Sequence, residues 1–224
     1  MPSRRLPYRA IAIVMAVLLG TAMNSRSGLA AYGAAATVPS LFGSREVESN
    51  KLFYFPKCRG TLSRHFDETK LPDAPCTETA FNRCHLRQWN DFLRGLNGTD
   101  KMSQVKAVNT FFNRRPYIID PKNYGVPDYW ATPVQFLTRD GDCEDYAISK
   151  YFSLRSLGFS VDSMRIVVLQ DLNLNTAHAI LVVYMGEQAF VLDNQVATVV
   201  DATNIFHYRP IYSINEKHWW LHRL

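Results

Sequence analysis

Past its first thirty residues the sequence has no apolar run long enough to span a bilayer, so no membrane-crossing helix is expected there. It also lacks internal repeats and low-complexity tracts beyond the N-terminus, which leaves ordinary globular packing as the expectation. Net charge is nearly absent as well. The formal charge is +5, but Arg4, Arg5, Arg9 and Arg26 supply four of these charges in a segment without a single acid. The remaining residues hold 21 basic and 20 acidic side chains, close to +1, and the composition argument for a nucleic-acid partner disappears. Cysteine is scarce too, with four in all: Cys58, Cys76, Cys84 and Cys143. If Cys143 stays free for chemistry, at most one bridge forms among the other three. Cys76–Cys84 closes the shortest loop, although spacing alone leaves the connectivity open.

What is present begins with an export leader. Residues 1–30 combine a basic start, an apolar run from Ala10 to Leu19 and small residues at Gly28-Leu29-Ala30, the pattern of a secretory signal peptide. A periplasmic location is the expectation, with an uncleaved anchor as the rival. Residues 31–78 read as an N-terminal extension: a flexible lead-in to residue 50, a short strand at Leu52–Phe55, then an irregular segment rich in proline and cysteine. Residues 79–224 read as the main domain. Apolar spacing predicts helices over Thr79–Leu96, over the stretch capped by Thr99 and over 143–157, and the Thr132-Pro133 cap predicts a short one over 133–138. Strands are expected at 162–169, 178–184, 188–192, 207–213 and 218–223. Helices first and an antiparallel sheet afterwards define an α+β class.

One stretch carries the chemistry: Gly141-Asp142-Cys143-Glu144-Asp145-Tyr146-Ala147. Cys143 opens a helix, where unpaired N–H groups and the helix dipole favour a thiolate and can hold an oxyanion. The neighbouring carboxylates oppose ionisation, so a histidine partner is required. A buried, inert cysteine is the plainer alternative. His178 starts one strand and Asp193 ends the next, so a hairpin would bring them together in the Cys, His, Asp layout of a papain-like site. The plainer alternative is a surface histidine and a turn aspartate. For Asp142, Glu144 and Asp145, helix capping explains all three acids. A calcium site is the rival, and it meets an objection: within one helix Asp142 and Glu144 point about 200° apart, so they share an ion only if Asp142 is still in the loop.

The runs Asp128-Tyr129-Trp130-Ala131-Thr132-Pro133, Gly141 to Ala147, Lys150-Tyr151-Phe152, Leu157-Gly158, Thr176 to Val182 and Leu192-Asp193-Asn194 together resemble the bacterial transglutaminase-like cysteine proteinases. Within that family they resemble the LapG-type periplasmic proteases. The likeness spans about residues 79–215 and is weak before residue 79. It implies a papain-like, transglutaminase-like fold, with Cys143 as nucleophile, His178 as general base and then acid, and Asp193 as the orienting acid. It also implies that Asp142 and Glu144 bind a calcium ion needed for activity. It further implies, as substrate, the N-terminal region of a large repeat-rich adhesin, cut at an Ala-Ala site so that biofilm cells detach. The implied inhibitor is the periplasmic domain of an inner-membrane cyclic di-GMP receptor. Two other activities fit the same residues: a transglutaminase, which passes the acyl group to an amine, and a non-catalytic module that uses the acidic loop for calcium. The segment 56–84, with three cysteines, departs from the family pattern. Trp130 either flanks the cleft or packs in the core.

Overall fold

The computed structural model describes residues 39–71, 75–76 and 83–224, apart from the side chains of Thr69 and Arg83. The expected leader at 1–30 and the expected helix start at Thr79 lie outside the described residues. Among these, no helix is long and apolar enough to cross a membrane.

Seven strands form one antiparallel sheet: β1 (Arg45–Ser49), β2 (Met164–Asp171), β3 (Thr176–Met185), β4 (Gln188–Leu192), β5 (Val200–Asp201), β6 (Tyr208–Ile214) and β7 (Trp219–Arg223). Their spatial order is β1-β7-β6-β2-β3-β4-β5. The helices are α1 (Pro56–Asp67), α2 (Arg83–Gly95), α3 (Lys101–Asn113), the short α4 (Asp120–Asn123), α5 (Pro133–Arg139) and α6 (Cys143–Ser156). Most elements fall where the apolar spacing put them, and the α+β class is observed.

The N-terminal segment differs from its sequence reading. Arg45–Ser49, expected in a flexible lead-in, pairs with β7 at the sheet edge. Leu52–Tyr54 is a 3₁₀ turn and not a strand. Pro56–Asp67, expected to be irregular, is a helix in which Pro56 occupies the first turn, where its missing N–H costs nothing. The described residues thus lie in one compact unit that includes β1 and α1. Asp100, and not Thr99, caps α3, accepting from Ser103 N–H at 3.0 Å. The Thr132-Pro133 start of α5 is as expected, with Thr132 and Gln135 exchanging bonds in a capping box.

Helix α6 is the centre of the molecule. Every residue from Asp145 to Leu154 is buried, so the single apolar face read from Ala147, Tyr151 and Leu154 understates it. One side packs on the sheet through Met164, Ile166, Leu181 and Val183, and the other meets α2, α3 and α5 through Trp89, Phe112 and Phe136. The buried polar residues of α6 find partners where they can: Ser153 Oγ accepts the Trp89 indole N–H at 2.8 Å and donates to Ser149 O at 2.7 Å. A second core covers the far face of the sheet, built from Val167, Ile180, Val182 and Val191 against Leu41. Such two-sided burial holds α6 rigid, and with it the residue at its first turn.

Candidate active site

Cys143 is the first residue of α6, half-buried and unbridged. The disulfide joins Cys76 to Cys84, and Cys58 is free but buried. The loop preceding α6 is fixed by residues 117–118 and by Asp145. Ile118 N–H donates to Gly141 O at 2.9 Å, and Tyr117 bridges to Gly141. The fully buried Asp145 carboxylate reaches back to accept from Ala131 N–H at 2.6 Å and from Asp142 N–H at 3.3 Å. Glycine at 141 is a steric requirement. A Cβ there would lie 2.8 Å from Asp145 Cβ and 2.9 Å from its Cγ.

His178 and Asp193 meet as the hairpin predicts. The β3–β4 register pairs Leu181 with Leu192. By the period-two rule, Asp193 and His178 then lie on the same face at the same end. His178 Nε2 is 2.9 Å from Asp193 Oδ1, and both side chains are almost completely buried. Burial acts to raise the Asp193 carboxyl, but the His178 hydrogen bond and charge, the Tyr208 hydroxyl and the Gln195 N–H outweigh it and hold it below the usual range. Asn113 of α3 anchors the Asp193 loop by donating to Asp193 O at 2.7 Å and Val196 O at 3.1 Å.

The thiol and the imidazole line one cleft of about 340 Å³, together with Tyr117, Asp120, Trp130 and Tyr212. The Ala179 backbone N–H, next to His178, acts to lower the Cys143 thiol. Trp130 does both things considered for it: it is 7% exposed, packs in the core and still walls the cleft. Its carbonyl is held from α1 by Thr61 Oγ1 at 2.7 Å and Arg64 Nη2 at 2.5 Å, which gives the N-terminal segment a part in shaping the cleft.

Acids crowd the sulfur. Cys143 Sγ donates to Glu144 Oε2 at 3.2 Å. Burial, the Glu144 carboxylate and then Asp142 push the thiol well above its ordinary range. Burial and the Asp142 carboxylate also push Glu144 up, and burial raises Asp142 and takes Asp120 to about 6. The geometric objection to a shared ion falls away, because Asp142 is extended at φ −113, ψ −162 and lies outside the helix. Asp120 is the residue the sequence reading missed. Its N–H donates to Asp142 Oδ2 at 3.2 Å, and three overlapping groups have ligand atoms within 4.8 Å of one another: Asp142, Cys143 and Glu144; Asp120, Asp142 and Asp145; and Asp120, Asp128 and Glu144. Oδ1 of Asp120 and Oδ1 of Asp142 are buried without a hydrogen-bond partner. Orphaned carboxylate oxygens converging in this way are the kind of donor set a hard divalent ion requires. The residues therefore fit such a metal. No local signal marks Asp120, which reads as a turn aspartate before Pro121.

The profile of the bacterial transglutaminase-like cysteine proteinases (BTLCP) matches residues 75–222. No curated protein matches the chain. Among solved structures, Legionella pneumophila LapG is 34% identical, with 62% of this chain and 77% of that chain covered at a TM-score of 0.56. The calcium-bound structure of Legionella pneumophila LapG is also 34% identical, covering 64% of this chain and 81% of that chain at 0.57. Its EGTA-treated counterpart, again at 34%, covers 63% and 78% at 0.57. A match across most of the folded unit, with the thiol free in a cleft, settles the kinship: the chain belongs to the bacterial transglutaminase-like cysteine proteinases and is a cysteine protease of LapG type.

Proposed function

We propose that the protein is a calcium-dependent periplasmic cysteine endopeptidase with Cys143 as nucleophile, His178 as general base and acid, and Asp193 as the orienting acid. The observation that carries the reading is the buried His178–Asp193 pair, 2.9 Å apart, opening on the cleft that Cys143 lines. Asp193 engages Nε2, which leaves Nδ1 as the ring atom for the thiol. His178 takes the Cys143 proton, and the sulfur adds to the scissile carbonyl. The Cys143 N–H, in the first turn of α6, donates to the developing oxyanion. As the C–N bond breaks, His178 gives its proton to the leaving amine. His178 then removes a proton from water, whose oxygen attacks the thioester, and the acid product leaves with the thiol restored.

Asp142 and Glu144, joined by Asp120, would hold the calcium ion. Bound there, calcium supplies positive charge that offsets the acids now holding the thiol protonated. The calcium-bound structure of the LapG relative supports this assignment. Kinship with LapG-type proteases supports the N-terminal region of a large repeat-rich adhesin as substrate. It equally supports the periplasmic domain of an inner-membrane cyclic di-GMP receptor as inhibitor. The leader-like pattern of residues 1–30 supports the location.

The experiment is cleavage of an adhesin N-terminal fragment by the purified protein in calcium. Cys143→Ala abolishes it, Asp193→Asn slows it roughly ten-thousandfold, and EGTA stops it reversibly. Cleavage that persists in Cys143→Ala refutes the nucleophile, and full activity in EGTA refutes the metal.

A further inference from the structure

The two oxygens of Asp193 are divided between two tasks. Oδ1 accepts from His178 Nε2 at 2.9 Å and from Gln195 N–H at 2.8 Å. Oδ2 accepts a short hydrogen bond from the Tyr208 hydroxyl. Tyr208 lies on β6, two strands from β3 in the sheet order, and is buried. Its ring meets His178 edge-on at 6.0 Å between centroids and Phe42 edge-on at 5.7 Å, so the phenol is held in place by both.

We propose that Tyr208 is a positioning residue for the reaction: its hydroxyl holds Asp193 in the orientation that keeps Oδ1 on His178, and so fixes which imidazole nitrogen carries the proton. The proposal rests on the Cys143–His178–Asp193 reading above. A carboxylate is a two-fold rotor about its Cβ–Cγ bond. Anchors on one oxygen alone leave the other free to twist toward any stray donor, whereas a second anchor on Oδ2 removes that freedom. A neutral donor suits this role, because it orients Asp193 without cancelling the negative charge that favours an imidazolium at His178. Burial and the Asp193 carboxylate push the Tyr208 phenol up, so it remains a donor across the working pH range. The other charged or titratable groups facing this pair are Lys150 of α6, Asp171 of β2 and His207, whose ring is 4.5 Å from that of Tyr208. Among them, none is hydrogen-bonded to Asp193 Oδ2 in the described structure.

Tyr208→Phe removes the hydroxyl and keeps the ring packing. On the adhesin fragment, kcat should fall roughly tenfold, the order expected for one hydrogen bond to an ionised group, while KM stays within about twofold, because the hydroxyl touches no substrate. The acid limb of the pH profile should move to higher pH, since Asp193 then carries more charge toward His178. The downfield His178 Nε2–H resonance should shift or broaden, a readout that needs no substrate. Should Tyr208→Phe compromise folding, 3-fluorotyrosine at position 208 alone strengthens the donor at constant shape and should move that resonance without loss of structure. An unmoved resonance with wild-type kcat makes Tyr208 a packing residue and overturns the proposal. Cys143→Ala, assayed in parallel, separates the two readings: if it is inactive while Tyr208→Phe behaves as wild type, only the proposal fails, and if it still cleaves, the triad itself is wrong.

Discussion

Replacing Gly141 by alanine tests how the loop before α6 is built. The added Cβ would sit 2.8 Å from Asp145 Cβ and 2.9 Å from its Cγ, against about 3.5–4.0 Å for a normal carbon contact. Asp145 has to swing away. Two buried donors, Ala131 N–H and Asp142 N–H, then lose the carboxylate that satisfies them. Unsatisfied buried donors cost about 1–3 kcal/mol each, and overpacking adds about 1–3 kcal/mol. A total of about 3–9 kcal/mol, at about 2–4 °C per kcal/mol for a unit of this size, corresponds to a fall in melting temperature of at least about 6 °C. Gly158→Ala is the matched control. There φ is +83 and a Cβ meets nothing within 4 Å, so only left-handed backbone strain of about 1–2 kcal/mol applies, or a few degrees. Both variants are followed by circular dichroism on heating. Gly141→Ala should also lose protease activity at temperatures where it remains folded, because Asp142 and Cys143 hang on the same loop. If Gly141→Ala melts with the wild type, or above Gly158→Ala, the steric account is wrong.

Three further outcomes are expected. Asp120→Asn should weaken calcium binding at least about tenfold in calorimetry, and so should Asp142→Asn; an unchanged affinity would remove Asp120 from the site. Burial, opposed by Asp193, lowers the Lys150 ammonium to about 7, so between about pH 7 and 10 the unfolded chain binds a proton that the folded chain does not. Stability should therefore rise with pH across that window, by at most about 1.4 kcal/mol per pH unit. Lys150→Met should gain most over the wild type below pH 7 and least near pH 10 in urea unfolding, and a flat difference would show that Lys150 is not buried as described. Replacing Cys76 and Cys84 together by serine should cost about 2–3 kcal/mol through the eight-residue spacing they close, with Cys143 alkylation unaffected; a change in Cys143 labelling would show that the bridge reaches the cleft.

The sequence by itself determined the elements and the chemistry of the reacting groups. Helical apolar spacing located α6, the Thr132-Pro133 start located α5, and short apolar runs bounded by turn residues located β2, β3 and β4. The hairpin between His178 and Asp193 was legible because two short apolar runs flank the tight turn Met185-Gly186-Glu187. Pro56–Asp67 escaped notice because α1 carries few apolar residues and packs mainly through Cys58, Thr61 and Leu62. β1 escaped because an edge strand is stabilised by its ladder with β7, which no local pattern announces. Only the tertiary structure decided the company the reactive groups keep. It set Asp120 against Asp142 through the Ile118–Gly141 contact, turned Asp142 out of the helix, and laid the Tyr208 hydroxyl on Asp193 from across the sheet. Residue type and spacing fix what a side chain can do and which way a local element faces. Which distant side chains share a few ångströms is fixed by how those elements pack, and at this cleft that packing assembles the carboxylates beside the thiol.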